Sequence, residues 1–269
     1  MERIKSNHTF AVCAYEKSNY LEDCIKSTLN QTLKSEVIIC TSTPNDFIRS
    51  LAQKYNLKIF INDKEKVGVV GDWNFAYRCA STDLVTICHQ DDIYSENYVK
   101  EMLKAINNHD DLLIFMSNYY ERRGNIVEKN NILLTIKRIM LFPLRYKIFQ
   151  RAKWVRRLIL SLGCPICCPS VAFHKKKLFN EIFTNRYIAI LDWDAWERIS
   201  HYQGRFVYSN KPLMEHRIHE ESATTEVIKS NIRKKEEIEM FQKFWGKLAS
   251  TVIHKIYSKS EKSNDIRER

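Results

Sequence analysis

The sequence predicts an α/β protein with a mainly parallel central sheet flanked by helices and a helical C-terminal tail. Three observations carry this. Strand-like runs alternate with amphipathic helical stretches through the first 120 residues or so. One of them, Leu84–Cys88, is a run of apolar and β-branched residues, as a parallel strand covered on both faces is. The chain has 269 residues, 44% of them hydrophobic, which is enough for a sizeable core, and its 6 Gly and 5 Pro are too few for a low-complexity linker.

The elements follow in order. Phe10–Ala14 reads as the first strand. Ser18 or Asn19 can cap the next helix, whose face is Leu21, Cys24, Ile25, Thr28 and Leu29. Glu36–Cys40 is the second strand. Thr43 and Pro44 look like an N-cap and a first-turn proline, opening a helix marked by Ile48, Leu51, Ala52 and Tyr55. Lys58–Ile61 is the third strand. A helix from about Asp72 to Cys79 leads to the fourth, Leu84–Cys88. Ser95 caps a further helix, and Leu112–Ser117 is a fifth strand. The alternation breaks at about Arg122. Within Leu144–Leu162, residues Leu144, Ile148, Ala152, Val155, Ile159 and Leu162 form one stripe among basic neighbours. That is a basic amphipathic helix, either packed on the core or docked on anionic lipid headgroups. Thr225–Lys259 has a long helical pattern, and the final SEKSNDIRER looks frayed.

The charge is +11, and the stretch from Arg122 to Arg157 carries most of it, with eleven Lys/Arg against Glu128 alone. Nucleic acid, a membrane surface and phosphorylated ligands all fit such a balance. MERIKSNHTF lacks the apolar core of a signal peptide, so none is expected. The longest uncharged run, Leu158–Phe173, holds Gly163, Pro165 and Pro169 and is short for a membrane span. The eight cysteines read as buried thiols of a reducing compartment. Gly163–Pro169, GCPICCP, lacks the second ligand pair that a structural zinc needs.

Chemistry concentrates at three places. Leu84–Tyr94, LVTICHQDDIY, ends a strand in Asp91 and Asp92, where ligands of open α/β sheets bind. Acids there hold a divalent cation against phosphates, or form a solvated turn. Leu191–Ile199, LDWDAWERI, puts Asp192 and Asp194 in the first turn of a helix, and Asp194 reads as its cap. EHRIHEES puts Arg217 and His219 on one side of an extended segment, facing a phosphate or a metal, or lying at the surface.

In that order these segments resemble the family 2 glycosyltransferases of GT-A fold, with a Rossmann-like sheet. FAVCAYEKSNYLEDCIKSTLNQ is similar to the family's first strand, nucleotide-contacting turn and helix. Asn74 precedes the carboxylates as the family's asparagine does. Asp192 resembles the catalytic base, and HRIHEES the segment that closes the site. The resemblance covers about residues 8–225. It implies a glycosyltransferase domain over 1–220, with a nucleotide-sugar half (1–120) and an acceptor half (121–220) that includes the basic segment 122–162. Residues 221–269 form the helical tail.

The activity implied is inverting, metal-dependent transfer of a hexosyl group from a nucleotide-diphosphate sugar, a UDP-sugar, to a hydroxyl acceptor. The acceptor expected is a lipid-linked or cell-surface polysaccharide intermediate, such as one of capsule or cell-envelope synthesis. Asp91 and His219 would bind Mg²⁺ or Mn²⁺. Ala14, Tyr15, Glu16, Ser42, Asn74, Gln90, Asp92 and Arg217 would bind the donor, and Trp193 the acceptor sugar. Asp192 would take the acceptor's proton. The location implied is cytoplasmic, at the inner membrane face. Two departures stand out: His89 replaces the first acid of the carboxylate motif, and Thr41–Thr43 lacks the acid that contacts the base.

Three rivals remain. A nucleotidyltransferase would want a Gly-rich loop where CAYEKSNY has no glycine. A nucleic-acid-binding protein would interleave aromatics with cations, as Tyr146, Phe149 and Trp154 do. A nucleotide-sugar-binding protein without turnover would explain both departures.

Overall fold

Four runs near the N-terminus, three of them largely buried, pair as parallel strands, with helices as crossovers. They are β1 (His8–Ala14), β2 (Glu36–Thr41), β3 (Lys58–Ile61) and β4 (Leu84–His89), in the order β3-β2-β1-β4. The crossovers are α1 (Leu21–Leu29), α2 (Asp46–Lys54) and α3 (Val69–Cys79). The chain winds outward from β1 to β3, then returns to the other side of β1. That reversal opens a crevice at the carboxyl ends of β1 and β4. This computed structural model describes residues 6–63, 68–106, 109–219 and 231–262.

Beyond β4 the sheet becomes mixed. After β5 (Ile93–Tyr94) and α4 (Tyr98–Ile106), the fifth expected strand runs on to Arg123 as β6 (Leu112–Arg123), and β7 (Ile126–Glu128) folds back on it. β8 (Val171–His174) inserts antiparallel between β4 and β6. β9 (Arg205–Arg217) lies parallel to β6 and antiparallel to β5. Apolar layers cover both faces: Phe10, Val12 and Ile39 lie in one, Ala11, Ile38 and Ile87 in the other, as the strand period of two requires.

Between β7 and β8 the chain forms α5 (Ile132–Leu141), a 3₁₀ turn (Phe142–Arg145), α6 (Lys147–Gln150) and α7 (Lys153–Leu160). The single helix expected over Leu144–Leu162 is therefore three pieces. Extended backbone at Tyr146 and Ala152 separates them, and Pro143 opens the first. The expected stripe is divided too. Leu144, Val155 and Ile159 are buried, while Ile148 and Leu162 are exposed. Arg156, expected in water, is buried. It donates from Nε to Ser200 O at 2.9 Å and from Nη1 to Gly204 O at 2.8 Å, and also to Tyr202 O.

Three expected caps differ. Tyr20 precedes α1 without a side-chain cap, and Ser18 Oγ accepts from Tyr20 N instead. Asn45 caps α2 in place of Thr43, accepting from Ile48 N at 2.9 Å. Asp194 caps nothing: it lies buried within α8 (Leu191–Ile199), bound to Arg198 and Lys243. Lys243 belongs to α9 (Asn231–Lys262), which Gly246 breaks at φ 72°. The start of the helical pattern expected from Thr225, and most of the frayed tail, lie outside the described residues.

Candidate active site at the carboxyl ends of β1 and β4

β4 delivers His89, Gln90, Asp91 and Asp92 into the crevice, and the end of β9 brings His216, Arg217 and His219 to meet them. Asp92 is buried. Its Oδ1 accepts from His216 Nδ1 at 2.9 Å and from Arg217 N at 3.0 Å. Asp92 thus fastens β4's turn to β9. Burial works against the charged form of His216, but the Asp92 carboxylate prevails and lifts its pKa above the ordinary value. Asp91 Oδ2 shares a hydrogen bond with His219 Nε2 at 2.8 Å, and Asp91 O accepts from Arg217 Nε at 2.9 Å. The Arg217 guanidinium lies over the Tyr20 ring, 4.3 Å from its centroid.

His89 stacks on Trp73, with centroids 4.5 Å apart and planes at 19°. Burial lowers its pKa to about 4, so its ring is neutral near pH 7. One donor atom each from His89, Asp91 and Asp92 lies within 4.8 Å of the others. Asp92 Oδ2 is buried, has no hydrogen-bond donor among the described residues, and lies 3.7 Å from His89 Nδ1. Two carboxylates and a neutral imidazole suit Mg²⁺ or Mn²⁺. The residue that departs from the expected motif therefore completes a cation-competent set.

At β1's end, Ala14 is buried and offers only backbone, while Tyr15 is half exposed. Glu16 takes φ 50°, and its N–H donates to Thr43 Oγ1 at 2.6 Å. Gln90 is occupied in holding this turn: Oε1 accepts from Tyr15 N at 2.9 Å and Nε2 donates to Tyr15 O at 3.1 Å. Ser42 Oγ donates to Asp72 Oδ2 at 2.8 Å, and Asn62 Nδ2 to Asp72 Oδ1 at 3.0 Å. An acid therefore stands beside the end of β2 after all. Sequence reading missed it because it comes from the first turn of α3. Its only signal is that β2, β3 and α3 all end or start at this edge.

Asp192 begins α8. Its Oδ1 accepts from Trp193 N at 2.8 Å, and Cys164 Sγ lies 3.7 Å from Oδ2. Burial raises its pKa; the Trp193 N–H, Arg233 and Lys137 pull the other way. Cys164 thus ties the Cys164–Cys168 strap to the Asp192 carboxylate. Burial raises the thiols of Cys164, Cys167 and Cys168 well above their usual values, and all eight cysteines are free.

Two expected site residues are placed elsewhere. Trp193 is no sugar platform: it is buried on Phe241, centroids 5.1 Å apart, and its Nε1 donates to Leu160 O at 3.1 Å. Asn74 is no donor contact: its amide clamps the backbone of Phe183, with bonds of 2.8 and 3.0 Å. The indole and the amide are both spent on buried backbone that would otherwise lack partners.

Comparisons with known proteins bear on the family and the fold. The sequence model described as glycosyl transferase family 2 matches residues 9–183. An uncharacterized glycosyltransferase of Rickettsia typhi is 23% identical over 243 residues, covering 86% of this chain and 68% of that protein. One from Rickettsia conorii is 26% identical over 220 residues, covering 81% of this chain but only 35% of its own length. Among solved structures, Staphylococcus aureus TarS 1–349 with UDP-GlcNAc superposes at TM-score 0.63 and 14% identity, over 96% of this chain and 73% of that one. The Pyrobaculum calidifontis mannosyltransferase PcManGT with GDP-Man and Mn²⁺ gives 0.58 and 12%, over 98% and 76%. Mycobacterium tuberculosis glucosyl-3-phosphoglycerate synthase with Mn²⁺, UDP-Glc and phosphoglyceric acid gives 0.53 and 14%, over 88% and 78%. These three share the fold.

Proposed function

The chain belongs to glycosyl transferase family 2, and from that premise we propose that it transfers a sugar from a UDP-sugar to an acceptor hydroxyl, with inversion at the anomeric carbon. The observation that carries this reading is the cluster of His89, Asp91 and Asp92 at the carboxyl end of β4, with His219 hydrogen-bonded to Asp91. Asp192, its pKa raised by burial, is the carboxylate read as the base. Two of the three structural neighbours reported above hold uridine nucleotide sugars, which supports UDP as the carrier.

Tyr15 offers an exposed ring to the base, and Asp72, held by Ser42 and Asn62, accepts from the base edge. His89, Asp91 and Asp92 would hold Mg²⁺ or Mn²⁺, with His219 beside Asp91, and Asp92 also fixes the turn through His216 and Arg217. The cation supplies positive charge against the leaving diphosphate. Arg217 adds a second, permanent charge there. Asp192 takes the proton from the acceptor hydroxyl. Burial raises its pKa, which makes its carboxylate a stronger base than a solvated aspartate, while Arg233 and Lys137 favour the ionised form. The acceptor reading is a lipid-linked intermediate of cell-surface polysaccharide, met at the cytoplasmic face of the membrane.

The test is a panel of nucleotide sugars with Mn²⁺, scored by thermal shift and by nucleotide diphosphate release. A UDP-sugar should raise the melting temperature only with the cation present. Asp192→Asn should cut release by about a hundredfold or more while donor binding persists. Asp91→Ala should abolish the cation-dependent shift. Silence across the panel defeats the donor reading, and normal turnover by Asp192→Asn defeats the base assignment.

A further inference from the structure

α5 has two opposite faces. Leu134 and Leu141 are buried on one, where Lys137 Nζ also donates to Tyr119 Oη at 2.9 Å and Arg138 Nε to Asn118 Oδ1 at 3.0 Å. Ile132, Ile136 and Ile139, spaced i, i+4, i+7, form the other and are 66%, 37% and 68% exposed. The exposed apolar character continues through Phe142 in the 3₁₀ turn, Ile148 in α6 at 78%, and Trp154 in α7 at 66%. Single exposed apolar residues are ordinary in soluble proteins; with Tyr146 at 50%, seven large exposed ones fall within these 23 consecutive residues.

Charge identifies the occupant. Residues 129–180 contain no Asp or Glu. Arg145 and Lys147 are exposed within the apolar run, the Arg145 guanidinium lying 5.3 Å from the Phe142 ring centroid. Asp111 reaches this side but is bound by Arg151 at 3.0 Å and by Arg205 at 2.7 Å. Isoleucines with interspersed cations, flanked by Phe142, Tyr146 and Trp154, match a surface that is apolar below and uniformly anionic above. We propose that the outer face of Ile132–Ile148, with Trp154 at its edge, seats the protein on a bilayer containing anionic lipid.

The apolar side chains enter the boundary between headgroups and acyl chains, and Arg145 and Lys147 meet lipid phosphates. The position adds sense to the contact. α5 turns Lys137, whose charge Asp192 feels, toward the acceptor half of the site and its isoleucines outward. A lipid-linked acceptor would then approach Asp192 past α5. That last step rests on the function proposed above; the surface itself does not.

Flotation of the full chain tests it, with vesicles of phosphatidylglycerol and phosphatidylcholine against phosphatidylcholine alone. The protein should float with the anionic vesicles and far less with the neutral ones. Ile139→Ser with Ile148→Ser should weaken binding about tenfold or more. Arg145→Gln with Lys147→Gln should do so about tenfold and flatten the salt dependence. Neither pair should change the melting temperature, because all four side chains are exposed. Asp192→Asn should float like the parent protein, which separates this proposal from the catalytic one. Failure of the parent to float overturns it. So does flotation indifferent to both variants, or a solution dimer that Ile139→Ser with Ile148→Ser dissolves in place of vesicle binding.

Discussion

The proposed donor and acceptor halves of the site are held together by different forces. On the donor side, β1–β4 lie in continuous parallel register, and Tyr15, Glu16, Ser42, Gln90, Asp91 and Asp92 sit one to three positions beyond the strand ends. Sheet hydrogen bonds position them, and side chains adjust only the turns. On the acceptor side, short helices are tied by single buried polar side chains to distant chain. Arg156 holds the turn after α8, Asn74 holds Phe183, Lys243 reaches back to Asp194, and Trp245 Nε1 donates to Ser161 O at 2.7 Å. The donor half should therefore tolerate the loss of one polar side chain. The acceptor half should not.

Arg156→Leu is the most severe test of that contrast. It strips a buried donor from the carbonyls of Ser200, Tyr202 and Gly204, and should cost about 3–5 kcal/mol in urea unfolding. A loss below about 1 kcal/mol would mean water replaces the clamp and the contrast fails. Next come two members of the expected stripe, four residues apart. Leu144→Ala should cost about 2–5 kcal/mol, whereas Ile148→Ala should stay within about 0.5 kcal/mol. Equal costs would return both to one face.

On the donor side, Asp72→Ala should leave the melting temperature nearly unchanged but weaken UDP binding by about tenfold, measured by calorimetry. Unchanged affinity would place the base elsewhere.

The smallest effect is a shift in pH profile. As the proposed base, Asp192 would work only when ionised, and burial raises its pKa, so activity should fall on acidification at a pH above the usual aspartate range. Lys137 favours the ionised form. Lys137→Met should therefore raise that pKa further and move the acid limb of kcat/KM to higher pH, by a fraction of a unit. A limb that moves down, or stays, removes Lys137 from the electrostatics of the base.

Much of the donor half was legible because strand patterns are local. LVTICHQDD declares a buried strand and the acids at its end, and the alternation of elements declares the crossover order that opens the crevice there. Asp91, Asp92, Arg217 and His219 meet at the ends of β4 and β9. Asp72 was not legible, since its partners Ser42 and Asn62 come from two other elements. Trp193 was misread for a related reason. Its indole and a sugar-stacking indole look alike in sequence, and only the arrival of Phe241 from α9 makes it core.

The basic stretch failed most instructively. A helical stripe gives the angle between side chains, not which face meets the protein, and Tyr146 and Ala152 break even that angle. The composition of residues 129–180, cationic and without acids, was fixed by sequence, as were the alternation of strands and helices and the carboxylates at β4's end. Only tertiary structure decided that Arg156 goes inward, Ile148 outward, and His89 beside Asp91 and Asp92 as a neutral ring. The physical reason is that burial and ionisation belong to the surroundings of a side chain. For these residues the surroundings come from chain far away in sequence.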